Sequence, residues 1–150
     1  MEKKIVQVQE RTQQLIRQLL NVWESSVRAT HDFLSEEEII KIREYVPMAI
    51  ENVEYLIIAE KEFGEPVAFM GIDSNRLEML FLSLEVRGKG LGKQLLQYGI
   101  ETYNIQELTV NEQNPQAVGF YEHMGFQTYK RTEYDEEGNP YPLLYMRLSR

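Results

Sequence analysis

Between Leu77 and Val110 the apolar period changes twice, and no other feature constrains the fold as tightly. Leu77 to Leu84 is a strand-length, mostly apolar run. From about Gly90 to Tyr103, residues Leu91, Leu95, Leu96, Ile100 and Tyr103 recur at helical spacing, and Leu108-Thr109-Val110 is strand-like again. A strand, helix and strand joined in this way predict a parallel pair with a right-handed crossover. The rest of the chain is not built on that pattern, so a mixed α/β sandwich is expected rather than an all-parallel sheet.

Ahead of this unit, Ile5 to Val8 alternates briefly. Leu15, Ile16, Leu19, Leu20, Trp23 and Val27 then mark a first helix. Ser35 and Glu38 have capping-box spacing before the stripe Ile39, Ile42 and Val46, and Pro47 should kink or end that second helix. Tyr55 to Ala59 and Val67 to Ile72 read as strands. After the crossover, Pro115 to His123 suits a short helix, with Asn114 as N-cap and Gly125 as its stop. Phe126 to Tyr134 and Tyr141 to Leu148 read as a final hairpin. The expected order is β-α-α-β-β-β-α-β-α-β-β. No linker or repeat interrupts the 150 residues, which are expected to form a single domain, residues 1–150.

Composition narrows the function classes. There is no cysteine, hence no thiol nucleophile, disulfide or thiolate metal site, and the two histidines, His31 and His123, make a histidine-rich metal centre improbable. Twenty-four acids against 16 bases give a net charge of −8, which argues against a nucleic-acid partner. Met1-Glu2-Lys3-Lys4 leads into no apolar segment of leader or membrane-span length. A cytoplasmic protein without a membrane partner is expected, as a monomer or a homodimer.

Against that acidic background, Arg87-Gly88-Lys89-Gly90-Leu91-Gly92-Lys93 stands out. Three bases fall within it, and no acid occurs from Val86 to Ile100. Glycines let a ligand approach the backbone closely, and amides at a helix N-terminus attract anions, so a phosphate-bearing ligand is expected. The spacing excludes two common nucleotide motifs. Gly88 and Gly92 enclose three residues where a P-loop needs four, and Gln94 stands where its magnesium-binding hydroxyl belongs. For a dinucleotide fingerprint the third glycine comes one residue early.

The pattern that fits is R-x-x-G-x-G, with Arg87, Gly90 and Gly92. Here the chain resembles the GCN5-related N-acetyltransferase (GNAT) family. Asn114, Ala117, Tyr121, Gly125 and Phe126 match the family's second block, N-x-x-A-x-x-x-Y-x-x-x-G-F, which opens 22 residues after Gly92. The resemblance implies the acyl-CoA N-acyltransferase fold, a mostly antiparallel mixed sheet whose parallel unit splays around the cofactor, with helices on both faces. It implies acetyl-CoA as cosubstrate, no metal, and direct transfer to a primary amine of a small molecule, peptide or protein. A non-catalytic acyl-CoA sensor is the alternative.

By the same resemblance, backbone groups near Leu82 and Leu84 pair with pantetheine. Amides from Arg87 through Gly92 cradle the pyrophosphate, with Lys93 nearby, and Asn114 contacts the pantetheine arm. Tyr121 stands where many relatives place the general acid that protonates the CoA thiolate, a role a neutral phenol suits. Glu78, an acid within an apolar strand, is the implied general base, and burial should raise its pKa. Substrate selection is expected from Trp23, His31 and Phe33 where the first helix ends, together with the final hairpin.

Overall fold

A computed structural model describes residues 4–149; Met1-Glu2-Lys3, on which part of the leader expectation rests, lie outside the described residues. The elements are β1 (Lys4–Gln7), α1 (Gln13–Thr30), α2 (Glu36–Arg43), α3 (Val46–Asn52), β2 (Tyr55–Glu60), β3 (Pro66–Asp73) and β4 (Arg76–Leu82). They continue with α4 (Leu91–Tyr103), β5 (Glu107–Asn111), α5 (Pro115–His123), β6 (Phe126–Thr132) and β7 (Leu143–Leu148). The seven strands form one sheet in the order β1-β2-β3-β4-β5-β7-β6, antiparallel except where β4 meets β5.

Helices cover both faces. Leu91, Leu95 and Leu96 of α4 pack on one face with Met70, Leu77, Leu108, Phe126 and Met146. Leu19, Trp23 and Val27 of α1 pack on the other with Ile39, Ile50, Leu56 and Phe69. The positions on α1, α2 and α4 are the helical stripes already visible in the sequence, whereas Ile50 belongs to α3, so burial of amphipathic helix faces against the two sides of one sheet organises the core.

Three expectations change. Pro47 does not merely end α2, which stops at Arg43; it sits in the first turn of a third helix, where its missing N–H has no intrahelical partner to lose. The fourth strand ends at Leu82, and a 3-10 turn takes Leu84 out of the sheet, with Val86 N donating to Ser83 O at 3.1 Å. The last strand starts at Leu143 rather than Tyr141, after Pro142, which has no amide to give a ladder. The Ser35–Glu38 capping box forms as spacing predicts, with reciprocal bonds of 3.2 and 2.8 Å.

Two irregularities open the sheet. Gly71 pairs with Met79 but Ile72 pairs with Leu77, so Glu78 is the extra residue of a β-bulge in β4. At the same level β4 and β5 part company, because only Arg76–Glu107 and Leu77–Leu108 pair in parallel. Beyond Leu77 the two strands leave a wedge-shaped gap, while β5 stays paired with β7 along its length.

Candidate functional site: a cleft at the strand gap

The gap leads into a cleft of about 310 Å³ walled by β4, the end of α1, the glycine turn and α5. Because Ser83 N donates to Val67 O on β3, strand alternation turns the backbone groups of Leu82, and of Leu80 before it, toward the gap. Leu80 and Leu82 both line the cleft. Leu84 does not. It is 63% exposed in the 3-10 turn, and its N–H donates to Ser25 Oγ at 2.9 Å, so the expected second pairing site is already occupied.

The glycine turn lies at the cleft mouth. Gly88 and Gly90 have φ of +76° and +83°, a region side chains adopt at a cost, and a Cβ on either would meet nothing within 4 Å. The backbone there is open to a ligand. Gly90 is the N-cap of α4, and the first intrahelical bond is Gln94 N to Gly90 O, at 3.1 Å. The N–H groups of Leu91, Gly92 and Lys93 are therefore left without intrahelical partners at the positive end of the helix. Arg87 and Lys93 line the cleft beside these amides, and Arg87 reaches Gln116 Oε1 on α5 at 3.4 Å. Lys89 points into solvent outside the wall, and the Leu91 side chain is core; only its amide faces this end. Among the described residues no carboxylate lines the cleft.

On the opposite wall Asn114, 8% exposed, caps α5 by accepting the Ala117 N–H at Oδ1, at 3.3 Å. Tyr121 lines the same wall, its ring against Phe120 at 5.2 Å and edge-on to Phe126 at 6.2 Å. Burial alone raises the Tyr121 phenol well above its ordinary pKa, so it stays protonated throughout the neutral range.

The other candidates separate. Glu78, at the bulge, does not line the cleft and pairs with Arg76 at 3.2 Å. Its pKa is nevertheless raised, first by burial and further by Asp73 and Glu136, against the opposing pull of Arg76. Trp23 is 4% exposed in the α1 core and does not line the cleft, because the indole falls on the sheet-facing stripe of the helix. His31 does line the cleft. Phe33 packs tilted against it at 5.3 Å and meets Tyr141 at 5.9 Å, so the loop after α1 touches the β6–β7 hairpin. Ser26 and Thr30, one helical turn apart on α1, also form the wall and were not anticipated. In the sequence Ser26 is only a polar residue beside the apolar stripe Trp23 and Val27. Among the described residues no group of three or more histidine, aspartate or glutamate side chains is placed to hold a metal ion.

Comparison with known proteins converges on one family. The model of the acetyltransferase (GNAT) domain matches residues 24–148. The peptidyl-lysine N-acetyltransferase YjaB of Salmonella typhimurium is 41% identical over 126 residues, 84% of this chain and 86% of that protein. The Escherichia coli protein of the same name is 39% identical over 127 residues, 85% and 86% of the two chains. The solution structure of apo-form YjaB from Escherichia coli superposes with a TM-score of 0.85 at 36% identity, covering 96% of this chain and 97% of that one. The PaiA N-acetyltransferase of Thermoplasma acidophilum, in complex with coenzyme A, shares the fold with a TM-score of 0.70 at 21% identity, over 98% and 99% of the chains. With a family model spanning most of its length and relatives of this identity covering most of both sequences, the chain belongs to the GNAT acetyltransferase family and moves an acetyl group to an amine.

Proposed function

We propose that the chain transfers the acetyl group of acetyl-CoA to the side-chain amine of lysine in a peptide or protein, within the cleft between β4 and β5. The observation that carries this reading is the coincidence, in one cleft, of an open backbone turn with two cations, an unpaired strand edge and a neutral phenol. The two curated relatives support lysine as the acceptor, since both are named for that activity.

Each part has a role in the reaction. The free amides of Leu91, Gly92 and Lys93, with the Arg87 and Lys93 side chains, hold the pyrophosphate through charge-assisted hydrogen bonds. Leu82 offers its N–H and C=O to the pantetheine amides as strand addition, and Asn114 meets the same arm from α5. This aligns the thioester in the gap, where a backbone N–H of the splayed strand polarises its carbonyl. The amine nitrogen attacks the carbonyl carbon, the C–S bond breaks, and the Tyr121 hydroxyl gives its proton to the departing sulfur. No cysteine exists to carry an acyl intermediate, so transfer is direct.

The test is thiol release with acetyl-CoA and matched acceptors: a blocked lysine peptide, the same peptide with the lysine already acetylated, and a panel of small amines. Turnover with the free lysine peptide and none with the acetylated one is expected. A kcat/KM that favours a small amine by tenfold or more would overturn the peptidyl acceptor, and tight CoA binding without turnover on any amine would overturn catalysis.

A further inference from the structure

A lysine amine is an ammonium at neutral pH and must lose a proton before it can attack. Yet among the described residues no carboxylate lies in the cleft wall, and Glu78 lies outside it in an ion pair. The titratable wall residues are His31, Arg87, Lys93 and Tyr121. Of these only histidine has an ordinary pKa near neutrality, which is what taking up a proton there requires.

The surroundings of His31 fix which nitrogen is basic. The residue caps α1, its N–H donating to Val27 O at 2.8 Å. Thr30 Oγ1 lies 2.8 Å from the Ser26 carbonyl oxygen and 2.7 Å from His31 Nδ1. A hydroxyl has one proton and a carbonyl oxygen has none, so Thr30 donates to Ser26. The proton between Thr30 and His31 therefore sits on Nδ1. In the neutral ring Nε2 then carries the lone pair, while Nδ1 is tied back to the helix and Phe33 packs tilted against the ring.

The charged groups around the imidazole are Asp32 beside it and Arg87 from the glycine turn, with Lys93 and the neutral phenol of Tyr121 on the cleft wall. Burial, reinforced by Arg87 and opposed by Asp32, lowers the His31 pKa below that of an ordinary histidine. The ring is neutral at neutral pH and able to accept a proton.

We propose that His31 is the general base of the transfer, its Nε2 removing a proton from the acceptor ammonium, and that Thr30 is a positioning residue that holds the ring in the required tautomer. The proposal rests on the acetyltransfer reading. The ammonium gives one proton to Nε2 and the free amine forms the C–N bond. As the C–S bond breaks, the Tyr121 proton goes to sulfur, and the second amine proton restores the phenol. His31 then releases its proton to solvent, so the sum is amide, CoA thiol and one proton.

The experiment compares kcat/KM against pH for the full chain, His31→Gln, Glu78→Gln, Thr30→Val and Thr30→Ser, using acetyl-CoA and a blocked lysine peptide. Nitrogen-15 NMR of the histidine rings runs in parallel. His31→Gln should lose about a hundredfold or more in kcat/KM and flatten its acid limb, with the acetyl-CoA Kd unchanged within about twofold. Glu78→Gln should keep that limb. In the spectra His31 should be the Nδ1–H tautomer, titrating below an ordinary histidine; Thr30→Val should lose that tautomer preference and Thr30→Ser restore it. An Nε2–H ring in the native chain, an unchanged acid limb in His31→Gln, or its loss in Glu78→Gln would overturn the assignment. If the native chain releases no CoA with any amine, the transfer reading fails and this proposal fails with it. An active native chain matched by His31→Gln removes the base alone.

Discussion

Tyr121→Phe isolates one atom. The ring keeps its contacts with Phe120 and Phe126, and only the hydroxyl is removed. Burial alone raises the phenol's pKa, with no charged neighbour contributing, so no ion pair is broken by the change. Stability should therefore stay within about 1 kcal/mol, the scale of one net hydrogen bond. Turnover is a different matter. Acid catalysis supplies about a hundred- to ten-thousandfold, and because a thiolate leaves readily even unprotonated, the low end is expected. A hundredfold loss corresponds to about 2.7 kcal/mol of barrier, at about 1.36 kcal/mol per tenfold. The sign of the pH dependence follows as well. Since the folded pKa is raised, the acid form persists through the ordinary phenol range, and the native kcat should not fall with alkali until above it. The assay is kcat from CoA release beside acetyl-CoA Kd by calorimetry, on the same preparation. A normal kcat would reduce Tyr121 to packing. Weakened binding with normal turnover at saturation would make it a cofactor contact, and either result would refute the acid role.

Gly90→Asp places a side chain at φ +83°, where the cost is about 1–2 kcal/mol, and an anion at the phosphate cradle; the fold should survive while acetyl-CoA no longer raises the melting temperature. Trp23→Ala should cost about 3–5 kcal/mol in urea unfolding, as for a buried aromatic, yet leave acetyl-CoA affinity unchanged under conditions where the protein stays folded, because the indole lies in the α1 core. Glu78→Gln should stabilise the chain at neutral pH. A carboxylate whose folded pKa is raised destabilises the fold above that pKa, and the penalty vanishes below its unfolded value, so urea midpoints of the variant and native chains should converge as the pH falls through the carboxylate range. A variant less stable at neutral pH would mean that the Arg76 ion pair outweighs the burial.

Local physics reached much of this protein. The pair Leu91 and Leu95, the Ser35–Glu38 box and the Asn114 cap on Ala117 join residues three or four positions apart, and such spacing is visible in one dimension. The glycine turn was legible for the same reason, since its conformation resides in the backbone of consecutive residues. The extent of β4 was not. Whether Leu84 continues the strand depends on Ser25, distant in the chain, which takes its N–H, and on a bulge that exists only because β3 is the partner. Trp23 and His31 both sit toward the end of the first helix, and side-chain type did not reveal that one faces the core and the other the cleft. The sequence by itself determined most of the elements, though not α3 or the limits of β4 and β7, and it singled out the glycine turn and Tyr121 as candidates. The tertiary structure decided where β4 leaves β5, which removed Glu78 from the cleft and placed His31 in it, because a strand gap and the tautomer of a ring are set by partners that sequence spacing does not specify.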